Sequence, residues 1–351
     1  MNQSEQRPDF FLNDSLSFEQ RMAELFAYQV QWNPVYQRYC SALGWSIEHK
    51  QDITTGQKLP PFLPVEAFKD ATVLCTPPAS HAWYTPQKDP LFFQSSGTQA
   101  MQRSKHVVLE PLLYTSSIME AWSSYFGKDN WIIWAYTPGY LDNPHSSLLY
   151  MINHLMQQDH TRLSRYLSLH EPLDLDELEQ LHASGHQVML FGAAFGWLDL
   201  IERHEALGHT LKLPPSVKIM ETGGMKTFRR AMSRQQLYDR LIQGFGLEPH
   251  QLVTEYGMTE CLSQAYTSEG MWLTTPHWMR TLIVDPSEPH RIMPCGEEGR
   301  IAIVDLANVH SCSFLLTSDR GISDASGAFQ VLGRLEESQL RGCNFLVEQD
   351  G

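Results

Sequence analysis

The chain has 351 residues, with 26 Lys and Arg against 40 Asp and Glu and a formal net charge of −14. Hydrophobic residues make up 42% and charged residues 19%, a balance that excludes a disordered chain and supplies apolar surface for a large core. The acidic excess argues against nucleic acid as the main partner, because phosphate contacts need clustered Lys and Arg.

The opening MNQSEQRPDF is polar and carries no apolar signal region. No apolar run approaches the roughly 18 residues of a spanning helix. Cys40, Cys75, Cys261, Cys295, Cys312 and Cys343 show no CxxC spacing, which argues against a zinc site and fits reduced thiols in a cytoplasm.

A helix is expected from Ser17 to Tyr39, because Ser17 and Gln20 form a capping-box pattern and Phe18, Met22, Leu25 and Phe26 share a face. The Pro-rich stretch from Leu59 to Pro64 reads as an extended segment crossing a surface. Strand and helix then alternate. Trp131–Tyr136 reads as a buried strand, Ser147–Met156 as a helix and Leu173–His182 as a helix ended by Gly185. Val188–Phe191 is a strand followed by a helix over Trp197–Leu207. Val217–Met220 is another strand, and Ser233 caps a helix running to Phe245. This order predicts α/β layers around a mainly parallel sheet. Arg280–Val284, Ile301–Val304, Phe314–Thr317 and Phe329–Leu332 predict a smaller antiparallel or mixed lobe near residues 270–334.

Four segments hold chemistry-bearing residues. Phe92-Phe93-Gln94-Ser95-Ser96-Gly97-Thr98 gathers hydroxyls around a glycine, a composition that suits a phosphate-gripping loop and equally a plain turn. Arg103, Lys105 and His106 follow and are placed to neutralise charge. Glu221-Thr222-Gly223-Gly224-Met225-Lys226 follows a strand, where paired glycines admit a flat ligand and equally suit a strand-to-helix loop. Thr254-Glu255-Tyr256-Gly257-Met258-Thr259-Glu260 sets a ring, a hydroxyl and a carboxylate close together, a set that can stack a base, hold a phosphate and bind Mg2+ and that equally suits a strand-end turn with a surface Glu. Thr317-Ser318-Asp319-Arg320-Gly321 with Gly333-Arg334 reads first as an ordinary turn, and also offers a carboxylate for two ribose hydroxyls and an Arg for the same sugar or a phosphate.

In this order the segments resemble the adenylate-forming superfamily, and more closely its LuxE-type acyl-protein synthetases. The resemblance runs from about Leu59 to Cys343. It includes Leu59–Val65 with Phe68-Lys69, Ser146–Met151, Asp305-Leu306-Ala307-Asn308 with Ser311-Cys312, and Arg341-Gly342-Cys343. It implies an α/β layered fold of mixed and parallel sheets packed by helices. One adenylate-forming domain would span 1–334, with lobes divided near 185. A short tail, 335–351, would stand in place of the superfamily's mobile C-terminal domain.

The same resemblance implies ATP and Mg2+ as cofactors and a carboxylic, long-chain fatty acid as substrate. Ser95, Ser96, Gly97 and Thr98 would hold the β- and γ-phosphates. Tyr256 would stack on adenine, with Gly223 and Gly224 lining the other side. Thr259 would contact the α-phosphate and Glu260 would bind Mg2+. Asp319 and Arg334 would hold the ribose and a phosphate. Cys343 would accept the acyl group as a thioester, with Cys261 as its rival. The acyl chain would run past Phe191–Trp197, where Ala193, Ala194 and Gly196 are small.

The phosphate loop departs from the superfamily's Thr-Thr-Gly, reading Thr98-Gln99-Ala100, and losing the second glycine stiffens or reshapes it. Without the mobile domain's Lys, charge compensation falls to Arg103, Lys105, Arg320, Arg341 or a partner. An acyl reductase or a carrier protein is the expected acceptor. The alternatives are a ligase acting on coenzyme A or a carrier thiol, and a non-catalytic nucleotide-binding partner of an acyl reductase.

Overall fold

Ser17 opens the first helix, accepting from the Gln20 backbone N–H while donating its own N–H to the Gln20 side chain. The computed structural model describes residues 11, 13, 15–78, 89–95, 103–137, 139, 142–222, 232–267 and 270–335. They form two compact units. One draws on Met1–Ile118, Met258–Ser263 and Thr275–Gly351, the other on Met119–Gly257 and Gln264–Thr274.

The first unit begins with α1 (Phe18–Trp32) and α2 (Pro34–Ala42). The single helix expected from Ser17 to Tyr39 is therefore broken. Asn33 ends α1 through its backbone N–H to the Gln29 carbonyl and starts α2 by accepting from the Val35 and Tyr36 N–H groups. Pro34 suits the first helical position because it has no N–H to satisfy. Next come α3 (Lys50–Thr54), β1 (Leu63–Pro64), α4 (Ala67–Asp70), β2 (Leu91–Gln94), β3 (Lys105–Val108) and the first half of α5 (Pro111–Phe126), whose residues from Met119 on belong to the second unit. The β2–β3 hairpin and α5 were not predicted.

The second unit carries β4 (Trp131–Tyr136), α6 (Ser147–Gln157), β5 (Arg165–Tyr166), α7 (Leu175–Ala183), β6 (Gln187–Ala193), α8 (Ala194–Ala206), β7 (Val217–Thr222), α9 (Arg234–Phe245), β8 (Leu252–Tyr256), β9 (Ala265–Thr267) and β10 (Leu273–Thr274). Strands β5-β4-β6-β7-β8 pair in parallel, and β9 and β10 add antiparallel at the β8 edge. Every residue of β4 is buried, as expected of a parallel strand covered on both faces. Helices α7, α8 and α9 cover one face, closing a core around Trp134, Leu190, Trp197, Ile219, Leu237 and Phe245. The pairing of β4 with β6 spans position 185. The units accordingly part at 118/119, 257/258, 263/264 and 274/275 rather than near 185.

The chain returns to the first unit as β11 (Met279–Val284), β12 (Gly299–Asp305), β13 (Phe314–Ser323) and β14 (Phe329–Arg334), an antiparallel sheet in chain order. β1 pairs in parallel with β13, Leu63 opposite Leu315. The Pro-rich stretch thus does not cross a surface: Phe62 and Leu63 are buried. Tyr36 donates to the Pro61 carbonyl and stacks on Phe314, with centroids 5.7 Å apart. No helix among the described residues is long and apolar enough to cross a membrane.

Candidate functional site

The phosphate-loop segment begins on β2. Gln94 faces Lys105 across the hairpin, the Ser95 N–H donates to the Ser104 carbonyl at 3.1 Å, and the Ser95 hydroxyl accepts from the Ser104 N–H at 3.0 Å. Ser96, Gly97, Thr98, Gln99 and Ala100 lie outside the described residues, as do Gly223, Gly224, Arg341 and Cys343. Arg103 and Lys105 are exposed, and the Lys105 ammonium sits 4.4 Å from the Phe92 ring centroid.

His106 differs from its expected role. It is buried, and burial pulls its pKa down to about 4. A neutral imidazole cannot neutralise charge. Its Nδ1 instead lies 2.8 Å from the Thr259 carbonyl, and because that oxygen can only accept, Nδ1 carries the proton.

Thr259 and Glu260 stand in an irregular stretch, Met258–Ser263, that belongs to the first unit. Thr259 is half-buried and Glu260 is 6% exposed. The Glu260 carbonyl accepts from Asn308 Nδ2 at 2.8 Å. Among the described residues no group of three or more His, Cys, Asp or Glu could hold a metal ion. A single carboxylate such as Glu260 fits Mg2+ when substrate phosphates and water supply the remaining oxygens. Cys261 is buried, and burial raises its thiol well above the ordinary range, which removes it as a ready nucleophile.

Asp319 and Arg334, expected near one sugar, are directly opposed across β13 and β14. Asp319 Oδ1 lies 3.6 Å from Arg334 Nε, and the Asp319 N–H donates to the Thr317 hydroxyl at 3.1 Å. Arg334 is 66% exposed, so its guanidinium remains open to solvent and ligand. Arg320 pairs with Glu298 at 2.5 Å, an exposed ion pair.

In the second unit Tyr256 closes β8, half-buried and opposite Ala265 of β9. The two strand ends beside it carry residues to which no role was assigned. Glu221 and Thr222 end β7, and the Thr222 hydroxyl donates to the Glu255 carboxylate. Glu221 approaches Arg234 at 3.5 Å. Burial raises both carboxyl groups, and the Glu221 charge adds to the rise at Glu255, to about 7. A Cβ at Gly257 would lie 2.5 Å from Glu255 Oε1, so a larger residue there would displace that carboxylate.

Residues 191–197 proposed for the acyl path are mixed in exposure. Phe191, Ala194 and Trp197 are fully buried, Phe195 and Gly196 half-buried, and Ala193 exposed at the end of β6. Gly192 and Gly196 admit the protein's own rings: their missing Cβ atoms would lie 2.5 Å from Trp197 and 3.2 Å from Tyr136.

An open conformation of 2-hydroxyisobutyryl-CoA ligase in complex with 2-HIB-AMP and CoA is similar in structure, with a TM-score of 0.63 and 11% identity over 91% of this chain and 69% of that one. The McyG A-PCP complex with phenylalanyl-adenylate gives 0.52 and 16%, covering 72% and 42%. ATP-bound MatB from Rhodopseudomonas palustris gives 0.48 and 16%, covering 73% of this chain and 51% of that one. The chain therefore spans about half the length of MatB, and the first two likenesses establish an adenylate-forming fold. No curated protein matches it in sequence. The profile of the acyl-protein synthetases, LuxE, matches residues 18–350. The chain belongs to that acyl-protein synthetase family, LuxE.

Proposed function

We propose that this chain activates a carboxylic acid, specifically a long-chain fatty acid, with ATP and passes the acyl group to a protein thiol. The family match over residues 18–350 carries the reading. The opposed Asp319–Arg334 pair supports its nucleotide part, because a carboxylate and a guanidinium on adjacent strands suit ribose hydroxyls and a phosphate.

A carboxylate oxygen attacks the α-phosphorus, the bond to the β-phosphate oxygen breaks, and pyrophosphate leaves. The Cys343 thiolate then attacks the acyl carbon and AMP departs with the former carboxylate oxygen. Phosphoryl transfer of this kind depends on positioning and charge stabilisation. Ser95, Ser96 and Thr98 hold the β- and γ-phosphates, Gly97 shapes that loop, and Thr259 contacts the α-phosphate. Tyr256 stacks on adenine opposite Gly223 and Gly224. Glu260 would hold Mg2+, which supplies neutralising charge to the phosphates. The acyl group passes Ala193 and Gly196, and an acyl reductase or carrier protein takes it onward from Cys343. The setting is cytoplasmic.

Pyrophosphate release with Mg-ATP and a panel of short, long and aromatic acids tests this. Release confined to long-chain acids, and lost in Asp319→Ala and Glu260→Ala, is the expected result. No release with any acid overturns the adenylation reading. Release followed by product formation that Cys343→Ala leaves unchanged replaces the enzyme thiol with coenzyme A or a carrier thiol.

A further inference from the structure

Met258–Ser263 belongs to no helix or strand. Its buried peptide groups still need partners, and side chains from elsewhere in the first unit supply them. His106 of β3 holds the Thr259 carbonyl at 2.8 Å. Asn308, in the β12–β13 connection, gives one N–H to the Glu260 carbonyl at 2.8 Å and the other to the Cys312 carbonyl at 2.9 Å. Asp305, at the end of β12, accepts from the Leu262 and Ser263 N–H groups at 2.8 and 3.1 Å and from the Ser263 hydroxyl at 2.6 Å. Ser263 also accepts from the Trp278 indole at 2.9 Å.

His106 and Asn308 reach consecutive carbonyls, those of Thr259 and Glu260. A peptide plane tethered at its carbonyl has lost most of its rotational freedom, and two adjacent tethers restrict the Thr259 and Glu260 side chains in direction. Asp305 anchors the far end of the stretch. A neutral imidazole suits the task, since it offers a donor without placing a cation beside Glu260. The Asn308 amide likewise donates without adding charge.

We propose that His106 and Asn308 are positioning residues, whose hydrogen bonds to the Thr259 and Glu260 carbonyls aim that hydroxyl and carboxylate at the nucleotide phosphates and their metal ion. The proposal rests on the roles given above to Thr259 and Glu260. Neither positioning residue needs to touch the ligand.

His106→Leu removes the donor while keeping an apolar side chain of similar reach. His106→Asn keeps an amide donor near the place of Nδ1 and serves as the rescue. Asn308→Asp keeps shape and loses both donors. Thermal unfolding confirms which variants are folded, and hydrogen exchange by mass spectrometry reads the peptide covering 258–263 against one covering β11. The expected result for His106→Leu and Asn308→Asp is about tenfold faster exchange confined to 258–263. It is accompanied by a fall in kcat for pyrophosphate release of about 10- to 100-fold, as displacement of a reacting group by about 1 Å produces. The Mg2+ concentration for half-activation rises several-fold, and His106→Asn recovers most of each effect.

Folded His106→Leu and Asn308→Asp with unchanged exchange in 258–263 overturn the proposal. So does an exchange change with kcat and Mg2+ dependence within twofold of wild type, or His106→Asn as impaired as His106→Leu. If the wild type releases no pyrophosphate, the adenylation reading fails, and exchange alone decides whether the two side chains order the segment.

Discussion

The Thr222 hydroxyl donates to the Glu255 carboxylate across the paired ends of β7 and β8. Glu255 is buried, and burial is the main cause of its rise to about 7, with the Glu221 charge adding to it. Between its ordinary value of 4.5 and about 7, the folded state holds a proton that the unfolded chain has released. This group's contribution to stability is therefore full below about 4.5 and is lost as the pH rises through 7. Glu255→Gln removes that dependence. The Tm difference between Glu255→Gln and wild type should grow from pH 5 to pH 7 and level off by pH 8, in the variant's favour. A difference that stays flat over that range would show that Glu255 titrates normally.

Gly192 lies under the Trp197 indole, and a Cβ there would sit 2.5 Å from the ring. The indole has little room to retreat, being fully buried, stacked on Tyr136 at 5.6 Å and edge-on to Phe245 at 5.7 Å. Gly192→Ala should cost about 1–3 kcal/mol, the usual range for overpacking. It should lower the urea midpoint without changing the m-value. A midpoint equal to wild type would mean that the indole shifts freely.

Asp319 and Arg334 form a long, solvent-facing pair, the kind that contributes at most about 1 kcal/mol to stability. Asp319→Ala should therefore leave the Tm close to wild type while reducing pyrophosphate release about 100-fold. Calorimetry and a coupled pyrophosphate assay on the same preparation separate the two effects. A large Tm loss with proportionate activity loss would make Asp319 a structural residue.

Thiol chemistry offers a further check. Cys40, Cys75, Cys261 and Cys312 are buried and their thiols are raised by burial, whereas Cys295 is exposed. Among the described cysteines, brief alkylation of the native protein should modify Cys295 alone. With acid and ATP present, a hydroxylamine-sensitive adduct should form in wild type and in Cys295→Ala, and vanish in Cys343→Ala while pyrophosphate release persists. An adduct that survives Cys343→Ala would move the acceptor to another thiol.

Local chemistry determined a large part of the architecture from sequence alone. The capping boxes at Ser17 and Ser233, the apolar run of β4, and the strands after residue 279 depend on neighbours a few positions apart, so their residue patterns announce them. Ser95, Thr259, Glu260, Tyr256, Asp319 and Arg334 stand out in the sequence as candidates because short segments carry their resemblance. The break at Asn33-Pro34 was also local, and a closer reading of Pro34 would have found it.

Other features required the tertiary structure because their causes lie far apart in the chain. Burial of the Pro-rich stretch depends on β13, and the division of units depends on β4 pairing with β6 across position 185. The pattern around His106 looks like an exposed basic run. Only the approach of distant residues, Phe68 edge-on to the ring and the Thr259 carbonyl at Nδ1 among them, makes the imidazole buried, neutral and committed to a carbonyl. Asp305 and Asn308 were visible as a motif, but their purpose was not, since the peptide groups they satisfy lie more than 40 residues upstream. The sequence determined which residues are candidates to hold a nucleotide; long-range burial and hydrogen bonding decided which of them are buried, neutral or exposed, because desolvation and donor geometry exist only once distant segments meet.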